Sequence, residues 1–249
     1  MSTTHTVRLC HLYPQLMNIY ADRGNIAVFR QRLAWRDIGL EITEIGLGDV
    51  IEPVQHDLYY LGGGQDRDQN LVAKDLIANA ATLQAAANAG AAQLYVCGGI
   101  QLAGHSYVTA DGTELAGLGI LDLTTEAGGS RLIGDLIIDA TVEGMSQRVV
   151  GYENHVGRTH LGPNCEPLGQ VVSGHGNDGE SGHEGAILNH VIGTYLHGPL
   201  LPKNPWLADI LLAWALEHRY KKEVALRPLD DLVEARAHDI ASARASIKR

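Results

Sequence analysis

"QLYVCGGIQLAG", residues 93–104, joins an apolar run to a cysteine and two glycines. Leu94, Tyr95 and Val96 read as the end of a buried strand, and the glycines break it at once. A short helix should open after Cys97. A thiol at such a strand-to-helix corner has two readings. It is a nucleophile whose thiolate the helix N-terminus favours, or it is a small buried core residue beside turn glycines.

The flanking segments give the corner its setting. "TVRLCHLY" (6–13), "LEITEIGLG", "HDLYYLGGG" (56–64) and "AAQLYVC" read as strands. Between them, "GNIAVFRQRLAWRDIG" (24–39) spaces Ile26, Phe29, Leu33 and Trp35 as a helix, and 70–90 is Ala- and Leu-rich with helical period. Strands alternating with helices predict an α/β fold with a mostly parallel central sheet and helices on both faces. In the second half, "LGILDLTTE", "SRLIGDLIIDATV", "QRVVGYENHVG" and "LGQVVSG" read as strands joined by Gly-rich turns. After them, 206–220 is an amphipathic helix. No repeat, linker or low-complexity tract divides the chain. One domain is expected over 1–249, with a core of about 6–220 and a tail of about 221–249.

Composition narrows the function. The 249 residues carry a formal charge of −10, which argues against a nucleic-acid partner, because phosphate binding needs clustered Lys and Arg. A single Phe leaves the core to Leu, Ile, Val and Ala. The N-terminal residues hold no signal-peptide run, and no stretch approaches the roughly 18 apolar residues of a membrane span. A cytoplasmic protein is expected. Cys10, Cys97 and Cys165 lack CxxC spacing, so neither a disulfide framework nor a zinc knuckle is indicated.

Two glycine-bearing loops fall at the carboxyl ends of strands, where parallel sheets gather function: Gly62-Gly63-Gly64 and the Cys97 corner. Backbone N–H groups of Gly98 and of Gly63 or Gly64 could form an oxyanion hole. A thiol nucleophile needs a base. Of the 12 histidines, His197 stands where "AILNHVIGTYLHGP" ends its apolar run, while His190 lies inside that run. His155, His160, His175 and His183 match neither H-x₃-H nor HExxH, and no metal site is expected.

At these residues the chain resembles a known family. Cys97-Gly98-Gly99-Ile100-Gln101 fits the C-x-G-x-Q elbow of class I glutamine amidotransferases. "GYENHVGRTHL" (151–161) and "GTYLHGP" (193–199) are similar to the cobyric acid synthase-like subtype. Within it, "NIYADRGNI", "YYLGGGQDRDQ" and "SRLIGDLII" look like the small amidotransferase subunits of lipid II isoglutaminyl synthases. The likeness runs from about residue 8 to 220.

The resemblance implies a flavodoxin-like fold, with Cys97 as nucleophile and His197 as base. Gln101 would hold L-glutamine near the elbow and Arg131 would bind it. It also implies a MurT-type, Mur-ligase-like partner in a heterodimer. That partner would carry ATP and Mg²⁺, because this chain has no G-x-x-x-x-G-K-[ST] loop, and lipid II would be reached through it. Two departures stand out: Tyr95 precedes the cysteine where many relatives have glycine, and Pro199 occupies the usual position of the triad carboxylate. An acid from the partner is expected to complete the triad, with Glu153 or a backbone carbonyl as the alternative. Other functions to weigh are the amidotransferase part of a cobyrinate or cobyric acid synthase, for which 249 residues leave no room for the ATP-binding domain, and an inactive regulatory module.

Overall fold

The computed structural model describes residues 5–19 and 23–247; Tyr20, Ala21 and Asp22 of the "NIYADRGNI" motif lie outside the described residues. The chain runs β1 (His5–Leu12), α1 (Arg23–Ala34), β2 (Ile38–Ile45), β3 (Leu58–Leu61), α2 (Asp66–Leu76), α3 (Ala80–Asn88), β4 (Ala92–Val96) and α4 (Gly98–Ala103). It continues through β5 (Ser106–Val108), β6 (Glu114–Ala116), β7 (Leu123–Val142), β8 (Met145–Leu161), β9 (Gly169–Ser173), β10 (His183–Glu184), β11 (Ala186–Leu188) and β12 (Val191–Thr194). Helices α5 (Pro205–Tyr220) and α6 (Leu232–Ile247) follow.

The central sheet has the order β11-β12-β4-β3-β1-β2 and is parallel except for the edge pair β11–β12. Strand alternation divides its side chains between two cores. Leu58, Tyr60, Leu94 and Val96 meet Phe29 and Leu33 of α1 and Leu207 and Leu211 of α5. Tyr59, Leu61 and Tyr95 meet Val72 and Leu76 of α2 and Leu83 of α3. Helices therefore cover both faces, as the alternation of strands and helices predicts.

Boundaries differ from the sequence reading in three places. Trp35 stands past the end of α1 and is exposed, with Asp37 turning the chain at positive φ. The helix read over 70–90 starts at Asp66 and breaks at Ile77–Asn79. There the Asn79 amide bonds the backbone at Ile51 (2.9 Å) and Asp49 (3.1 Å). A side chain that serves a neighbouring loop this way competes with helix propagation.

Only the last four residues of "LGILDLTTE", Leu123–Glu126, are strand, and they belong with "SRLIGDLIIDATV" to one strand, β7, paired with β8 on both sides of an interruption. The intervening glycines sit in a bulge: Ala127 pairs with Gly157 and Leu132 with His155, so 128–131 oppose Val156 alone. A two-residue turn of Glu143 and Gly144, both at positive φ, closes the hairpin. This hairpin belongs to a second sheet, ordered β10-β9-β7-β5-β6 with β8 on β7. It leans against the mouth of the central sheet, where Tyr152 of β8 exchanges both backbone hydrogen bonds with His197 (2.9 and 3.1 Å).

Candidate active site

The Cys97 corner is a strained turn. Its backbone stands at φ 55, ψ −112, outside the regions an L-residue ordinarily occupies. The cysteine N–H still donates to the Thr194 carbonyl (2.8 Å), the last residue of β12. Cys97 and the segment that leads to His197 therefore diverge from one pair of strand ends. Gly99 makes the turn possible, because a Cβ there would stand 2.5 Å from the Leu61 carbonyl oxygen. Gly63 lies over the thiol: a Cβ would meet Cys97 Cβ at 3.0 Å and Sγ at 3.5 Å. Any larger residue would cover the sulfur.

A cavity of about 40 Å³ opens at the corner. Cys97, Gly98, Gly64, Gln101 and Arg131, all singled out in the sequence, line it together with Ile19, Gln69, Tyr107, Asn154, His155 and Val156. Gln101 is buried, and its amide is engaged at both ends. It accepts from Gln69 Nε2 (2.7 Å) and donates to the Tyr195 hydroxyl (3.2 Å). Tyr195 in turn bonds Thr159 (2.7 Å), which bonds Thr125 (2.8 Å). This buried chain makes Gln101 a wall of the site. Arg131 is exposed on the bulge, with Nη1 donating to Asn154 Oδ1 at 3.0 Å.

His197 is fully buried beside Tyr152, edge-on to that ring at 5.8 Å, and is not among the residues lining the cavity. Burial, then the nearby His155 and Lys203, push the His197 imidazole down to about 4. It is neutral at neutral pH, the form a base requires. His155 reaches the cavity itself. It stacks on Tyr195 at 3.6 Å and bonds the Gly157 carbonyl through Nδ1 (2.9 Å). His190 lies elsewhere, bonded to the Gly90 carbonyl (2.9 Å) and stacked on Trp214.

The local acids have other duties. The Glu153 carboxylate accepts the N–H groups of His175 (2.7 Å) and Gly176 (3.0 Å) and stands 3.6 Å from His155. Glu184 takes the Thr194 hydroxyl and the Tyr195 N–H (3.0 Å). Asp209 grips Arg32 and Arg36 on α1 and beyond. The other two thiols are buried by desolvating surroundings, Cys10 pushed up to about 12 and Cys165 to about 11. Neither ionises readily near neutral pH.

The structure adds Gln69 and Asn154 to the site and gives His155 a place in it. For Gln69 and His155 the signal was a polar residue on an inward-facing position, whereas Asn154 is half-buried on the other face of β8 and carried no such signal. Gln69 shares a helical stripe with Val72, Ala73 and Leu76, and Glu153, His155 and Thr159 alternate along the buried face of β8.

A parallel sheet carrying a cysteine elbow is a frame that solved glutamine amidotransferases share. PurLQS from Thermotoga maritima shares this fold at a TM-score of 0.57 and 17% identity, over 87% of this chain and 99% of its own. So does a glutamine amidotransferase from the same organism, at a TM-score of 0.52 and 12% identity, over 98% and 93% of the two chains. Residues 8–205 match the family model of the CobB/CobQ-like glutamine amidotransferase domain. The chain is 39% identical to the lipid II isoglutaminyl synthase (glutamine-hydrolyzing) subunit GatD of Staphylococcus aureus (strain N315), over 97% of each chain. The GatD subunit of Streptococcus pneumoniae (strain ATCC BAA-255 / R6) is 34% identical, over 98% of this chain and 92% of its own. The chain belongs to the CobB/CobQ-like glutamine amidotransferase family and, within it, to the GatD family.

Proposed function

We propose that this chain is the glutamine-hydrolysing subunit of a lipid II isoglutaminyl synthase. The likeness to GatD over nearly the whole of both chains supports this reading best. A probable cobyric acid synthase of Methanosphaera stadtmanae matches only 41% of this chain and 22% of its own length, which favours the GatD assignment over a cobyric acid synthase part.

In this reading Cys97 Sγ attacks the carboxamide carbon of L-glutamine, and His197 takes the thiol proton. The N–H of Gly98 and one from Gly63 or Gly64 receive the charge that develops on the carboxamide oxygen. The C–N bond breaks, His197 returns the proton to the departing ammonia, and a thioester remains on Cys97. Water cleaves it to glutamate. Arg131 grips the α-carboxylate of glutamine, and Gln101 shapes the wall beside it.

Ammonia passes to a MurT-type, Mur-ligase-like partner. That partner holds ATP and Mg²⁺ and amidates the D-glutamate of the lipid II stem peptide to D-isoglutamine, in the cytoplasm. The test is to assay lipid II amidation by the purified pair with Cys97→Ala in this chain. Glutamine-supported amidation should vanish while ammonia-supported amidation survives. Survival with glutamine, or loss of both, would overturn the assignment.

A further inference from the structure

Arg131 stands on the bulge of 128–131, four residues that face Val156 alone on β8. Gly128 and Gly129 open the bulge, and Ser130 and Arg131 are exposed. A glycine-led, exposed segment with so little ladder pairing does not fix a long side chain unless something else ties it down.

The tie comes from across the hairpin. Arg158 Nη2 donates to the Ser130 carbonyl (2.9 Å), the peptide unit directly before Arg131, and Nη1 donates to the Val156 carbonyl (2.8 Å). The guanidinium lies flat against Gly128, where a Cβ would come within 2.6 Å of Arg158 Cζ. One planar group thus closes on both strands and on the floor of the bulge. Beyond it, Asn154 on the same strand takes Arg131 Nη1 at 3.0 Å, and both line the cavity with Cys97. Arg158 is not among the residues of that lining.

We propose that Arg158 is a positioning residue that sets the bulge so that Arg131 faces Cys97, an inference that rests on the glutaminase reading above. The role needs a planar fork with separated donors. A lysine ammonium is a point donor on a flexible stem and cannot hold both carbonyls while lying against Gly128.

The experiment measures glutamine hydrolysis by the complex with R131A, R158A, R158K and the R131A/R158A double variant. R158A should raise KM for glutamine about tenfold with kcat changed far less, the pattern of a lost binding contact. R158K keeps the charge and the stem, so it controls for folding, and its KM should rise as well. Because Arg158 acts through Arg131, the double variant should be no worse than R131A alone. Wild-type KM in both R158A and R158K, or single effects that multiply in the double variant, would overturn the proposal. Wild-type kcat/KM in R131A would instead refute the role of Arg131 in the underlying reading.

Discussion

His190 and His197 bracket β12, one before Val191 and the other beyond Thr194. The strand therefore holds them at opposite ends, and only the later one reaches the carboxyl edge where Cys97 turns. His197→Ala should lower glutamine hydrolysis by roughly 10²–10⁴-fold, the ordinary scale for removing a general base. His190→Ala should cost stability through the lost Trp214 stacking and leave turnover near normal; an inactive His190 variant beside an active His197 variant would reverse the assignment. Glu184 offers a pH readout. It is fully buried, Oε2 meets no hydrogen-bond partner among the described residues, and burial pushes its carboxyl up to about 7. Because the folded chain holds this proton more tightly than the unfolded chain, the contribution is complete below about 4.5 and is lost as pH rises through about 7. Glu184→Gln, always neutral, should match the wild type near pH 4.5 and exceed it by the order of 1 kcal/mol at pH 8. Thermal melts at the two pH values check this, and equal differences at both would refute it.

At the scale of elements, the strand–elbow–helix unit depends on one backbone approach, between Gly99 and the Leu61 carbonyl. Gly99→Ala should cost about 1–3 kcal/mol and disable the corner, whereas Gly98→Ala, meeting the Gln69 side chain at 3.1 Å and not a backbone carbonyl at 2.5 Å, should be milder. Chemical denaturation of both variants tests the order, which a stable, active Gly99→Ala would contradict. This unit was legible because its signal is local: an apolar run, a cysteine and two glycines within a few residues. The Arg131 bulge was not. Its glycines read as a turn between two strands, and only pairing with a distant β8 shows that the strand carries on beyond them. The role of Gln101 as a wall likewise depends on Gln69 and Tyr195, which lie far from it in sequence. Helix α6 escaped the reading for a related reason. Among its described side chains it buries only Ala245, near Ile137 and Val150, and so has little apolar stripe to betray it.

For the molecule as a whole, the strength of the proposed base, His197, depends on what surrounds it. Burial lowers the His197 imidazole to about 4, and Pro199 follows it two residues on. An imidazole that weak accepts a thiol proton poorly. Because His197 is fully buried in the lone chain, we propose that pairing opens this segment so that an Asp or Glu of the partner reaches the imidazole, raises its proton affinity and fixes its tautomer. Glutaminase activity of the lone chain should then fall well below that of the pair, by up to roughly 10⁴-fold. The acid limb of its kcat/KM profile should also lie at lower pH. Equal rates and coincident limbs would show that this chain orients His197 unaided. The volume at the elbow carries its own consequence. About 40 Å³ admits a few waters, not the ten heavy atoms of glutamine, and Cys97 is only 6% exposed. We expect the elbow to widen before glutamine binds. Alkylation of Cys97 by a small neutral reagent accordingly becomes a clock for that opening, in the way amide exchange times local unfolding.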